Sequence, residues 1–194
     1  MPKRVDVQSV ERVYDGFMKL DQAEFTYEKY DGSMSAPTRR LVLERGDSVG
    51  ILIYERTQRR VGLVQQFRFP AYVRNGPGWL WEIIAGVVDR GREPEEVARS
   101  EAEEEAGYRL EALRQVLTFF PSPGGSSERI YLYLASTPEL AAEGVHGVKR
   151  EGEDILMHSF SLEEALRMID GGQIMDAKTI IALQYLARHW DDLD

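Results

Sequence analysis

Four glutamates crowd five positions of this chain: Glu101, Glu103, Glu104 and Glu105. At about 100° per residue, Glu101, Glu104 and Glu105 fall on one side of a helix. Like charges at that spacing repel, so a solvated helix gains nothing from them. A hard divalent cation would turn the repulsion into binding. Mg2+ and Mn2+ prefer carboxylate oxygens, and Mg2+ usually shares its shell with waters and substrate phosphates. The bland alternative is a surface helix with a solvated acidic face. It leaves unexplained the two glycines that bracket the run, Gly86 upstream and Gly107 just beyond.

The stretch GVVDRGREPEEVARSEAEEEAGY, residues 86–108, resembles the Nudix box, G-x5-E-x7-R-E-U-x-E-E-x-G-U, where U is a bulky apolar residue. Gly86 takes the first glycine, Glu101 the second glutamate, Glu104 and Glu105 the E-E pair, and Gly107 the last glycine. Tyr108 takes the final U and Ala102 is a small substitute at the other. The family's first glutamate falls on Arg92 and its arginine on Ser100. In the family these two brace the loop against the helix. Glu93 and Arg99 each sit one step inward and are expected to replace that brace as a displaced ion pair.

The resemblance extends over about residues 10–188 and is to the branch of ADP-ribose pyrophosphatases and the GDP-mannose hydrolases related to them. QFRFPAY at 66–72 resembles that branch's QxR strand end and gives Arg68 a substrate phosphate; a planar guanidinium suits a pyrophosphate better than lysine. WEIIAG at 81–86 puts Glu82 near substrate and makes the Ala85 carbonyl a metal ligand. SPGGSSE at 122–128 matches a proline pattern of ADP-ribose hydrolases, with Gly124, Gly125 and Glu128 on the sugar side of the substrate. The same residues also read as a glycine-rich hairpin turn. EGEDI at 151–155 resembles the acidic loop that carries the catalytic base. Glu151 or Glu153 takes that role, and Glu153 is also a candidate metal ligand. DAKTI at 176–180 recurs in the branch, so Lys178 either reaches the substrate or is a helix-end charge.

The resemblance implies a metal set of Glu101, Glu105, Glu104, Glu153 and the Ala85 carbonyl, holding Mg2+ or Mn2+. Glu104 counts with the catalytic set as well. The reaction implied is hydrolysis of the P–O–P link of a nucleoside diphosphate sugar, with ADP-ribose giving AMP and ribose 5-phosphate. GDP-mannose or another nucleotide sugar remains an alternative substrate. A non-hydrolytic nucleotide-sugar sensor is the alternative class; such domains usually lose box carboxylates, which this chain keeps.

Composition narrows the field independently. The chain has 194 residues and a formal net charge of −9 without a basic block, which argues against nucleic acid as a partner. Cysteine is absent, so disulfides, thiolate catalysis and Cys–zinc sites are excluded. His146, His158 and His189 are scattered and do not form a zinc pattern. No apolar run reaches the roughly 18–20 residues of a membrane span, and the N-terminal stretch lacks an apolar leader, so a cytoplasmic enzyme is expected.

The elements that must carry these residues read as an α+β chain. Residues 1–45 are β-rich and poor in aliphatics, with a hairpin at the DGS of 31–33. They are expected to form a dimerisation arm crossing to a second copy, with the catalytic domain at 46–194. Residues 49–54 and 61–67 read as a central hairpin, 79–84 as one strand leading into the box, and 113–120 and 130–134 as further strands. Ser161-Leu-Glu-Glu164 is a capping box opening a helix that Gly171 ends. Asp176 is expected to cap the last helix, packed through Ile180, Ile181, Leu183, Leu186 and Ala187. The sum is a mixed sheet with helices on both sides, in agreement with the α/β/α Nudix sandwich that the resemblance implies.

Overall fold

A computed structural model describes residues 3–89, 91–110, 112–140, 143–147, 152 and 154–193. The chain divides into two compact units, Met1–Asp47 with Ser122–Arg129, and Ser48–Pro121 with Ile130–Asp194.

The first unit is an antiparallel sheet of β1 (Val5–Asp15), β2 (Lys19–Tyr27) and β3 (Thr38–Glu44) in that order. The Asp31 carboxylate accepts from the Ser33 N–H at 2.9 Å and from its hydroxyl at 2.7 Å, which closes the expected turn. Among the described residues, none of the buried hydrophobic side chains belongs to this unit. Every residue of β1 is exposed, Val5, Val7, Val10 and Val13 included. Residues 122–129 run beside β3: Leu43 donates its N–H to the Gly125 carbonyl at 2.8 Å, and Ser127 donates to the Leu43 carbonyl at 3.2 Å.

The second unit holds β4 (Ser48–Glu55), β5 (Arg60–Phe67), α1 (Phe69–Tyr72), β6 (Trp79–Glu82), β7 (Ile84–Val87), α2 (Pro94–Ala106), β8 (Arg114–Phe119), β9 (Ile130–Thr137), β10 (Gly144–His146), β11 (Ile155–Ser161), α3 (Leu162–Asp170) and α4 (Ala177–Arg188). The sheet runs β10-β11-β5-β4-β9-β8, with β4 and β9 parallel and its other pairings antiparallel. All of β4 is buried, as a central strand covered on both faces must be. On one face Val49, Ile51 and Ile53 pack with Val97, Ala98, Ala102 and Ala106 of α2. On the other, Leu52, Leu63 and Leu132 pack with Leu162 and Ala165 of α3 and Leu183 and Leu186 of α4. The helix–sheet–helix layering is the expected α+β sandwich with a mixed sheet.

The expected single strand over 79–84 divides instead. β4 and β5 pair only at Ile53–Glu55 and then diverge. Into the opening come β6, which pairs with β5, and β7, which pairs with β4. The chain changes partner at Ile83, where its N–H would lose its ladder acceptor. The Thr179 hydroxyl accepts it at 2.8 Å.

Local chemistry sets the helix ends. Glu93 caps α2 in a box with Glu96, and Pro94 fits the first turn, where no N–H is needed. Gly107 takes the left-handed conformation, φ 70°, donating to the Glu103 carbonyl while Tyr108 donates to that of Ala102. Ser161 caps α3 as expected, its hydroxyl accepting from the Glu164 N–H at 3.1 Å. Gly171 closes the helix without leaving the right-handed region, and the left-handed turn falls on Gly172. Asp176 caps α4 through the Thr179 N–H at 3.0 Å.

Candidate active site

The site gathers where β6 and β7 enter the divided sheet. Glu105 is 5% exposed, and its Oε2 accepts the Ala85 N–H at 3.2 Å. That N–H therefore points away from β4, and in an antiparallel ladder the Ala85 carbonyl turns to the same side. Glu101 lies against the next residue: a Cβ on Gly86 would meet its Oε1 at 2.0 Å. The first glycine of the box is thus required by close approach of a carboxylate to the strand. Glu104 is exposed, so it stands at the solvent edge and does not share the buried face of Glu105. Ala102 is fully buried, and the small side chain lets α2 approach the sheet closely.

An ion-pair network lies on the preceding strand, β6, and on α4. Arg68 donates Nε to Glu82 Oε1 and Nη2 to Glu82 Oε2, both at 2.9 Å. Lys178 donates to Glu82 Oε2 at 2.6 Å and pairs with Asp176 at 3.0 Å. Asp176 also accepts from the Thr179 hydroxyl at 2.6 Å, so the Thr179 oxygen both donates to the cap and accepts from Ile83. Burial pushes the Glu82 carboxyl up, but the bond from Arg68 and the charges of Lys178 and Arg68 outweigh it and hold it below its ordinary value. The Arg68 guanidinium is raised, first by its bond to Glu82, against burial, and further by Glu82, Glu105 and Asp176 charge.

Several expected roles change in this geometry. Glu82, 2% exposed with both oxygens engaged, is a partner of cations rather than a group open to a ligand. Lys178, expected to reach the substrate or to be a helix-end charge, stands in the first turn of α4 and is tied to two carboxylates. The Glu93–Arg99 brace does not form: Glu93 caps α2, while Arg99 donates to Glu95 at 2.8 Å and to the Leu110 carbonyl. The two residues that depart from the box brace each other, Arg92 Nη2 donating to Ser100 Oγ at 2.5 Å and to the Glu96 carbonyl at 3.2 Å. Thr179 is a residue that sequence reasoning missed; its only signal was its place three positions after a capping aspartate.

Gly124, Gly125 and Glu128 lie in the first unit, where the segment forms a turn closed by Ser126 N–H to the Ser122 carbonyl at 3.0 Å, and Glu128 pairs with Arg45 at 3.7 Å. Glu151 and Glu153 lie outside the described residues. Among the described residues no group of three or more His, Asp or Glu side chains forms a metal cluster by itself. The donor set on α2 and β7 nevertheless suits a hard cation: two carboxylates and a backbone carbonyl, all oxygen.

The NUDIX domain family pattern matches residues 44–181. An ADP-ribose pyrophosphatase of Escherichia coli K12 is 38% identical over 185 residues, covering 95% of this chain and 88% of that protein. A GDP-mannose pyrophosphatase of Pectobacterium atrosepticum is 34% identical over 192 residues, covering 98% of each. The crystal structure of an ADP compounds hydrolase superposes with a TM-score of 0.70 over 97% of this chain and 95% of that one, at 18% identity, and so shares the fold. The chain belongs to the NUDIX domain family and is a Nudix hydrolase.

Proposed function

We propose that this hydrolase cleaves the diphosphate bridge of a nucleoside diphosphate sugar, with ADP-ribose as the preferred substrate and AMP and ribose 5-phosphate as products. The observation that carries the reading is the oxygen donor set that Glu101, Glu105 and the Ala85 carbonyl form against β7. A divalent cation held there, Mg2+ or Mn2+, would neutralise a diphosphate and make a water easier to deprotonate. Arg68 meets the anionic bridge with a planar set of donors whose orientation Glu82 holds. Glu151 or Glu153 is assigned the base that takes the proton from water, with Glu153 and Glu104 as further candidate ligands. Gly124, Gly125 and Glu128 are assigned to the sugar end. Relatives named for ADP-ribose at 38% and 33% identity support the first substrate. A relative named for GDP-mannose, matched over 98% of its length, supports GDP-mannose as the second.

The reading includes a homodimer without nucleic-acid partners. The open β1 face, in a unit that supplies no buried hydrophobic side chain among the described residues, supports a second copy as its cover. The net charge of −9 supports the lack of a nucleic-acid partner.

The test is chromatographic detection of the nucleotide released with Mg2+ from ADP-ribose, GDP-mannose, ADP-glucose, diadenosine polyphosphates and 8-oxo-dGTP. Preference for ADP-ribose, lost in EDTA, is expected. Preference for 8-oxo-dGTP or a diadenosine polyphosphate would overturn the substrate class.

A further inference from the structure

Arg68, Glu82, Lys178 and Asp176 form a chain of alternating charge, and only one end of it is open. The Arg68 side chain is 40% exposed, against 3% for Glu82 and 13% for Lys178. Asp176 is fixed as the cap of α4 and holds Lys178; Lys178 holds Glu82; Glu82 holds the Nε–Nη2 edge of Arg68. A guanidinium bound in this bidentate way cannot rotate about its long side chain without breaking two charge-assisted bonds. Its Nη1 edge faces away from Glu82. The rotamer entropy that an anion would otherwise have to remove is therefore already lost in the free protein.

We infer that Glu82 is a positioning residue: it orients Arg68 for the anionic part of the substrate, is itself oriented by α4 through Lys178, and touches no substrate atom. The inference rests on the proposed diphosphate substrate and says which of the inward-facing charges meets it. It also explains why a carboxylate stands beside an anion site, where by itself it would repel the ligand: its charge is spent on two cations. The coupling runs from the first turn of α4, which packs against β6, through Glu82 at the end of β6 to Arg68, the residue that follows β5.

The test is a double-mutant cycle of Glu82→Gln and Arg68→Gln, read in kcat and KM for ADP-ribose and, in EDTA, in ADP-ribose affinity by calorimetry. Arg68→Gln is expected to weaken binding about tenfold or more, and Glu82→Gln by a smaller factor carried by KM rather than kcat. In the Arg68→Gln background, Glu82→Gln should add almost nothing, because the group it positions is gone. Additive losses, or a loss confined to kcat, would overturn the inference, since both mean that Glu82 acts on substrate by itself. If Glu82→Gln does not fold, Lys178→Met carries the same cycle, with the same non-additivity expected and additivity overturning it. Wild-type binding without turnover would overturn the proposed hydrolysis, and the calorimetric cycle would still decide the role of Glu82. No wild-type binding would overturn the inference.

Discussion

At the scale of single residues, the site depends on two carboxylates pressed against a strand and one guanidinium held by a third. Glu105→Gln should lower metal-dependent turnover on the order of a hundredfold, the size of loss typical for removing one charge-stabilising group, while the thermal unfolding midpoint changes little; near-wild-type turnover would remove Glu105 from the metal set. Gly86→Ala should displace the Glu101 carboxylate, because a Cβ there would lie 2.0 Å from its oxygen. The end of a side chain yields more easily than backbone, so activity should fall further than stability, as paired kinetics and thermal melts would show. Glu82 makes stability depend on pH. Its folded pKa is depressed, so its contribution is fully present above the unfolded glutamate pKa near 4.3 and is lost as pH falls through the lower folded value. Wild type and Glu82→Gln, compared by denaturant unfolding, should differ most at neutral pH and converge once the pH has fallen below the depressed folded value; a constant difference would contradict this. That Glu101 and Glu105 would stand together beside the strand of Gly86 was legible because charge, spacing and glycine positions agree with one another. The Arg92–Ser100 brace was not, because an arginine and a serine eight positions apart carry no pattern. The one signal that could have found it is that both partner positions of the box depart together.

At the scale of elements, the division of the sheet creates the site. The caps of α3 and α4 could be read from Ser161 and Asp176, since a side-chain oxygen before an apolar helical pattern has few other uses. The break between β6 and β7 could not, because WLWEII at 79–84 carries no turn residue and its partner change is set by which neighbouring strand offers an edge. Thr179 secures that break, and it predicts a contrast. Thr179→Val should leave the buried Ile83 N–H without its acceptor, at about 1–3 kcal/mol, and should reduce kcat/KM as well, since Glu82 directly precedes Ile83 and Ala85 lies two residues beyond it. Ser161→Ala removes a cap worth about 1 kcal/mol on a helix that supplies none of the candidate site residues, so it should reduce stability alone. Denaturant titration and initial rates on both variants would check the contrast; an unchanged kcat/KM in Thr179→Val would detach the break from the site.

At the scale of the whole molecule, the first unit contributes an open sheet and the second the packed layers. The first 45 residues read as β-rich and core-poor for a visible reason: the valines of β1 are exposed, and none of the buried hydrophobic side chains among the described residues comes from this stretch. That residues 122–129 join this unit was not legible, because the pairing with β3 joins backbone to backbone across a long sequence gap. Light scattering at micromolar concentration should give twice the mass of the 22.1 kDa chain, and Val7→Lys with Val10→Lys should shift it toward the monomer; a monomeric wild type would contradict the proposed second copy. The measurement that bears most directly on the function is chromatographic quantification of products from ADP-ribose with Mg2+. AMP and ribose 5-phosphate in equal amounts, stopped by EDTA and restored by excess Mg2+, is the expected result; saturable binding of ADP-ribose with no AMP formed would contradict hydrolysis and leave a sensor.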